Sequence, residues 1–167
     1  MVSGRMGASM LNQLAFLIGE WRGTGRFRFL NSNREPISYQ VRYMCKYSPN
    51  DDGIIIIEFD DDPEAEGMFH ASQGFLYVEP KTKEIRFKRN TLMDSARHGL
   101  VHLETWKLAD DGSTIKISTV ENDAVSGYGR NVLIRRVSDS ELLKKGEVSE
   151  GSERFGYEEK LVRRRSH

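Results

Sequence analysis

Strict two-residue alternation recurs along this chain, and it leaves few folds open. Over residues 37–47 the odd positions are Ile37, Tyr39, Val41, Tyr43, Cys45 and Tyr47, against Ser38, Gln40, Arg42, Met44 and Lys46. Residues 21–29 set Trp21, Gly23, Gly25, Phe27 and Phe29 against Arg22, Thr24, Arg26 and Arg28. Ile85, Phe87 and Arg89 oppose Glu84, Arg86 and Lys88, and Phe155, Tyr157, Glu159 and Leu161 oppose Arg154, Gly156, Glu158 and Lys160. Successive side chains of a strand point to opposite faces, so such segments have one apolar and one wet face, the mark of an antiparallel sheet. Turn residues separate them, as in Asn31-Ser32-Asn33, Asp51-Asp52-Gly53, Glu79-Pro80-Lys81, Asp110-Asp111-Gly112 and Ser138-Asp139-Ser140. The single helical pattern is "SMLNQLAFLIG", with Ser9 as N-cap and Gly19 as stop. About ten strands in meander order must stack as a sandwich or close, and closure removes the exposed edges. The expected fold is therefore all-β, an antiparallel up-and-down barrel of about ten strands with a short N-terminal helix closing one end. Residues 9–165 are read as one domain behind a flexible segment 1–8, with no linker or repeat dividing it. A ten-stranded barrel is wider than the eight-stranded kind that side chains fill, so an internal cavity is expected.

Composition removes several classes of function. Lys+Arg and Asp+Glu are both 25, a net charge of zero, which argues against a nucleic-acid binder working through a bulk positive field. No apolar run approaches the ~18 residues of a membrane span. The lone Cys45 excludes an internal disulfide and any zinc site needing two cysteines, and it fits a reducing, cytoplasmic location. The run Ile54–Ile57 is either buried on both faces or a homodimer contact. Asp60-Asp61-Asp62 lacks the spacing of a calcium loop and reads as a solvated acidic turn, so no metal is expected.

The inward face carries more than aliphatic filler. Its parity holds Tyr39, Tyr43, Tyr47, Gln73, Phe75, Tyr77, Phe87, Arg89, Tyr157 and Glu159. Aromatic walls with a few polar groups describe a pocket for a small molecule. The expected ligand is a largely apolar or amphipathic molecule with a polar or anionic head. Arg89, Tyr43, Gln73 and Tyr157 would clamp the head, with Arg130 as a second cation, and Phe75, Tyr77 and Phe87 would form the walls. An inward Arg89 needs an anion, and Glu159 is the chain's own candidate partner.

His102 adds a further candidate. Val101 and Leu103 place the odd face of that strand inward, which makes His102 and Glu104 a surface pair; the alternative is an inward acid/base pair. No Gly-x-Ser-x-Gly, phosphate-binding loop or His-Glu-x-x-His occurs. A catalyst using His102 and a barrel serving as a scaffold for protein interaction both stay open beside ligand binding.

Three glycines around one Trp, Gly19-Glu20-Trp21-Arg22-Gly23-Thr24-Gly25, mark a strongly bent first strand with a large side chain held at the bend. This stretch, within "LAFLIGEWRGTG", is similar to the N-terminal signature of calycin-like barrels related to nitrobindin, and the late strand "YEEKLVRR" resembles their basic closing strand. Lipocalins and fatty-acid-binding proteins have a similar Gly-x-Trp opening. The resemblance implies that Trp21 plugs the barrel floor, with Arg163 or Arg164 over its ring. It also raises haem, which nitrobindin-like proteins hold through a late-strand His. Here the chain departs from the pattern. Its histidines are His70, His98, His102 and His167, and the segment expected to supply the ligand reads "ERFGYEEKL". No cofactor is therefore expected; within that segment Tyr157 is the one residue able to ligate a ferric haem, and haem on His102 would be a different site.

Overall fold

A computed structural model describes residues 10–50, 52–62, 67–94, 100–120 and 129–165. The expected flexible segment 1–8, the Ser9 cap and His98 lie outside these residues. Ten strands follow one another as β1 (Gly19–Phe29), β2 (Ile37–Tyr47), β3 (Ile54–Asp62), β4 (Gly67–Val78), β5 (Ile85–Asp94), β6 (Leu100–Leu108), β7 (Thr114–Thr119), β8 (Gly129–Ser138), β9 (Glu141–Glu150) and β10 (Glu153–Arg163). Each pairs antiparallel with the next, and β1 pairs with β10, closing the barrel. The N-terminal helix is shorter than its pattern suggests: a helical turn at residues 10–12 and a 3-10 helix, Ala15–Leu17. Among the described residues no helix is long and apolar enough to cross a membrane.

One end of the barrel is an apolar floor. Leu14, Leu17, Trp21, Ile54, Leu76, Ile115, Ile134, Leu142 and Leu161 are all but completely buried there and in the adjoining core. The Trp21 indole Nε1 donates to the Leu17 carbonyl at 2.8 Å, which ties β1 to the 3-10 helix. Arg163 lies 4.3 Å from the Trp21 ring centroid, a cation–π contact of about 0.5–2 kcal/mol. The same guanidinium donates to the Phe16 carbonyl at 2.6 Å, to the Asp139 carbonyl at 3.0 Å and to the Ile18 carbonyl. Trp21 pairs with Arg163 on β10 and Tyr43 on β2, so the plug sits at the barrel seam. Gly23 explains the glycines beside it. A Cβ there would run into the Lys160 carbonyl, because β10 approaches too closely for any side chain.

Most expected faces hold and two do not. Tyr39, Val41, Tyr43 and Cys45 of β2, Ile85, Phe87 and Arg89 of β5, and Glu159 and Leu161 of β10 are buried, with Phe155 and Tyr157 half-buried; Arg22, Arg26, Arg28 and Lys88 are exposed, Arg42 and Arg86 are half-buried, and Ile37 and Tyr47, at the two ends of β2, are exposed. On β4 the parity is reversed. Ser72 and Leu76 are buried, whereas Gln73 is exposed and Phe75 and Tyr77 stack on each other with centroids 6.1 Å apart outside the cavity. The cause is packing: the inward slot at Gly74 is filled by the Phe87 ring of β5, which leaves no room for a second aromatic. A register shift between Ala71 and Ser72 turns both of those residues inward. On β6 the apolar Val101 and Leu103 are exposed at 54% and 40%, and His102, Glu104 and Trp106 are buried. The expected surface pair is an interior one.

Candidate functional site

Above the floor the interior is charged. β3 alternates Ile54, Ile56, Glu58 and Asp60 along its inner face, so its last two turns of pleat put carboxylates where the first two put isoleucines. Asp60 is thus a buried strand residue, not part of a solvated acidic turn, and the Ile54–Ile57 run buries Ile54 and Ile56 while Ile55 and Ile57 are half-covered outside. β9 contributes Leu142, Lys144 and Gly146 by the same rule. Together Glu58, Asp60, Arg89, His102, Glu104, Arg130, Lys144 and Glu159 are each at most 8% exposed.

These groups form two linked ion clusters. In the first, Lys144 Nζ lies 2.7 Å from Glu58 Oε1 and 3.8 Å from Glu159 Oε1. The ammonium also stands over the Tyr43 ring at 5.0 Å and the Tyr157 ring at 5.9 Å. Arg89 Nη2 is 3.7 Å from Glu58 Oε2 and donates to His70 Nε2 at 2.9 Å. A guanidinium has only donors, so His70 Nε2 accepts here and the ring proton sits on Nδ1. Arg89 therefore pairs with Glu58 and not with the candidate Glu159, because register puts Lys144 directly opposite Glu159. In the second cluster Arg130 Nη1 donates to Glu104 Oε2 at 2.7 Å and Nη2 donates to Tyr157 Oη at 3.1 Å. His102 is opposite Arg89 in the β5–β6 register.

Burial and charge pull the acids apart in pKa. Burial raises Glu58, but Lys144 and then Arg89 outweigh it and hold the carboxylate ionised, well below its ordinary range. Burial likewise opposes Glu104, and Arg130 overcomes it, so Glu104 also stays ionised. Asp60 goes the other way: burial, reinforced by Glu58 and Glu159, pushes it well above its usual value. Glu159 is pushed up to about 7, chiefly by burial, with Lys144 pulling against it and Glu58 adding to the rise. Burial disfavours the Lys144 ammonium, but Glu159 and Glu58 more than compensate and keep it charged. Tyr43 and Tyr157 are raised by burial and stay neutral donors.

Three carboxyl oxygens, Asp60 Oδ1, Glu104 Oε1 and Glu159 Oε2, are buried without a hydrogen-bond partner. A cavity of about 10 Å³, the space of one water, is bounded by Tyr43, Ile56, Glu58, Ser72, Phe87, Arg89, Trp106, Ile117, Arg130 and Lys144. Among the described residues, long and aromatic side chains crowd this part of the interior and leave the cavity narrow.

Of the residues singled out from sequence, Tyr43, Phe87, Arg89 and Arg130 meet at this cavity, Tyr157 joins through Arg130, and His102 lies beside Arg89. Gln73, Phe75 and Tyr77 are outside it. Trp21 and Arg163 form the floor. Sequence reasoning missed Glu58, Asp60 and Lys144 as interior groups; the signal available was parity, since Glu58 and Asp60 share a face with Ile56 and Lys144 with Leu142, while Trp106 went with the misread face of β6. Glu58, Asp60 and His70 have donor atoms within 4.8 Å of one another. Glu58 and His70 face Arg89 and Glu58 also faces Lys144, so they are committed to cations of the chain itself, and no metal is assigned. Glu104 holds its charge against Arg130, which makes it a poor proton carrier for His102 near neutral pH.

No protein-family model matches the chain, and no curated protein matches it. Solved structures do. The S-type phycobiliprotein lyase CPES from Guillardia theta matches with a TM-score of 0.69 at 12% identity, over 99% of this chain and 97% of that one. Rv2717c from M. tuberculosis matches at 0.66 and 15% identity, over 93% of this chain and 97% of that one. A protein of unknown function from the DUF3598 family of Nostoc punctiforme matches at 0.57 and 11% identity, with 90% of this chain covering 49% of that one. At such identities the likeness establishes the fold alone: a ten-stranded antiparallel barrel, consistent with a calycin-like architecture.

Proposed function

We propose that this barrel binds a small amphipathic molecule, with an apolar body against Tyr43, Phe87 and Trp106 and an anionic head among Arg89, Arg130 and Lys144. The observation that carries this reading is the interior charge balance. Three fixed cations face four carboxyls, of which burial and acidic neighbours push Asp60 well above its usual value and Glu159 up to about 7. With Asp60 and Glu159 both protonated, three cations stand against the two ionised carboxylates Glu58 and Glu104, leaving one positive charge in a low-dielectric interior. Such a surplus is costly unless an anion answers it. The cavity as it stands holds about one water, so the ligand enters by replacing contacts the long side chains make with one another. Arg89, Arg130 and Lys144 have the rotamer freedom to exchange a carboxylate partner for a head group.

The match to a phycobiliprotein lyase over nearly its whole length makes a bilin, a linear tetrapyrrole bearing carboxylates, the first natural ligand to test; that step is analogy of fold. The direct test uses an apolar sulfonate, anilinonaphthalene sulfonate, titrated by fluorescence into the native protein, Arg89→Gln and Arg130→Gln. Losing one charge-assisted contact weakens binding by about 1.5–3 kcal/mol, roughly ten- to a hundredfold. Equal affinity in all three proteins removes the cations from the site. Absence of binding to the native protein favours the scaffold reading.

A further inference from the structure

We propose that an anionic head group enters the barrel together with a proton, which Glu159 holds, so that Lys144 exchanges Glu159 for the ligand. This inference rests on the binding reading above and concerns how the same site is controlled. Three observations carry it. Lys144 is shared unequally, at 2.7 Å from Glu58 and 3.8 Å from Glu159, so the Glu159 contact is the one an incoming anion replaces at least cost. Glu159 Oε2 has no hydrogen-bond partner although the residue is 2% exposed, leaving a position for a proton and for a hydrogen bond to the ligand. On the β3 side of the interior the nearest charged group acting on Glu159 is the acid Glu58, which disfavours the ionised form.

The groups around Glu159 fix the direction of the coupling. Lys144 on β9 and, at longer range, Arg130 on β8 favour the carboxylate. Burial opposes it, as does Glu58 on β3, through its charge and a hydrogen bond between the two carboxyls; Asp60 on β3, itself pushed well above its usual value by burial, faces the same space. β1 offers Gly25 opposite Glu159 and so no charge, while Tyr39 and Tyr43 on β2 and Tyr157 on its own strand remain neutral. A balance this close places the carboxyl at about 7. With the site empty, Glu159 near neutral pH alternates between the two forms. An anion beside Lys144 repels the carboxylate and selects the acid, whose hydroxyl then donates to the head group. By linkage, binding takes up a proton and weakens as pH rises through about 7.

The experiment titrates anilinonaphthalene sulfonate, ionised at every pH used, into the native protein and Glu159→Gln between about pH 6 and about pH 8.5, with folding checked by near-ultraviolet circular dichroism. Native affinity is expected to fall by up to roughly tenfold per pH unit above the carboxyl's pKa, and Glu159→Gln, neutral throughout, is expected to show a flat profile. Calorimetry of the native protein in two buffers of different ionisation enthalpy, at about pH 7.5, reads the proton directly: uptake approaching one proton per ligand is expected. Flat native affinity, zero uptake, or an unchanged slope in Glu159→Gln overturns the coupling. The two readings fail separately. Binding that weakens in Arg89→Gln or Arg130→Gln without proton uptake sinks only the coupling, while absence of binding at every pH removes both.

Discussion

Replacing Lys144 by Met removes the cation that two buried carboxyls share and keeps a similar shape. Cavity and strain effects of a near volume-conserving change stay below about 1.5 kcal/mol. The charge effect is larger. Lys144 is 3% exposed and in ion-pair contact with both Glu58 and Glu159, and stripping one partner from a buried pair costs about 3–5 kcal/mol. Glu58 keeps Arg89 at 3.7 Å, so most of the loss falls on Glu159, which among the described residues has no other cation in ion-pair contact. Glu159 escapes by holding its proton more tightly. Its folded pKa, already raised to about 7 from an ordinary 4.5, rises further in Lys144→Met.

The pH window follows with a definite sign. A carboxyl whose folded pKa is raised gives stability that is complete below its unfolded pKa and is lost as pH rises toward the folded value. Lys144→Met is therefore expected to lose about 3–5 kcal/mol at about pH 8 and only about 1–2 kcal/mol at about pH 5, where Glu159 is protonated and Glu58 keeps Arg89. Urea unfolding followed by the fluorescence of Trp21 and Trp106 at the two pH values reads this directly. Adding Glu159→Gln to Lys144→Met should recover part of the loss at the higher pH, as residues of one network couple non-additively. A loss of equal size at both pH values, or no recovery in the double variant, would refute the claim that Lys144 acts through the carboxyls.

Two further outcomes test the rest of the interior. Trp21→Ala should cost about 3–5 kcal/mol, as for any large buried aromatic, and an unchanged melting temperature would show that the floor does not depend on the plug. The native protein should be most stable in mildly acidic solution: Asp60 and Glu159, both raised, withdraw stability as pH climbs toward 7, by about 3 kcal/mol for Glu159 alone, while Glu58 and Glu104, both lowered, withdraw it as pH falls below their ordinary 4.5. A stability maximum at or above about pH 8 in a urea series would contradict that ordering.

The barrel was legible because alternation and turn chemistry are local. Tyr39 to Cys45, or Ile85 to Arg89, show their faces without reference to any neighbour strand. The Gly-Trp-Gly opening was legible for a different reason: only a crossing backbone explains a glycine there, and β10 supplies it at Lys160. Two strands were misread where a neighbour decides the face. On β4, Phe75 and Tyr77 look like wall residues until Phe87 is found in the slot beside Gly74. On β6, Val101 and Leu103 look like core residues, and the rule that apolar groups go inside sends His102 and Glu104 to the surface. That rule presumes an apolar interior. Here the upper interior is ionic, so the more hydrophobic face of β6 is the outer one. Lys144 was missed on the same presumption, although Leu142 two residues before it marks the inward parity.

The division between floor and upper interior explains how one barrel can carry so many buried charges. A buried ion pair gives little net stability and often less than a hydrophobic substitute would. The Trp21 floor, with its aliphatic ring of Leu14, Leu17, Ile54, Leu76, Ile115, Ile134, Leu142 and Leu161, supplies hydrophobic burial that does not depend on the ionic part. The closed ladder from β1 to β10 holds the backbone of both ends in one register. Side chains in the upper interior are then free to be chosen for chemistry. Arg89, Arg130 and Lys144 cost more to bury than leucines, yet they sit at positions where leucines would fit by parity, on the faces of Phe87, Val132 and Leu142. A chain that needed only a stable barrel would gain by making those positions aliphatic. Cations at those positions, sharing Glu58, Glu104 and Glu159 among them, accord with the proposed exchange of an internal partner for an external anion.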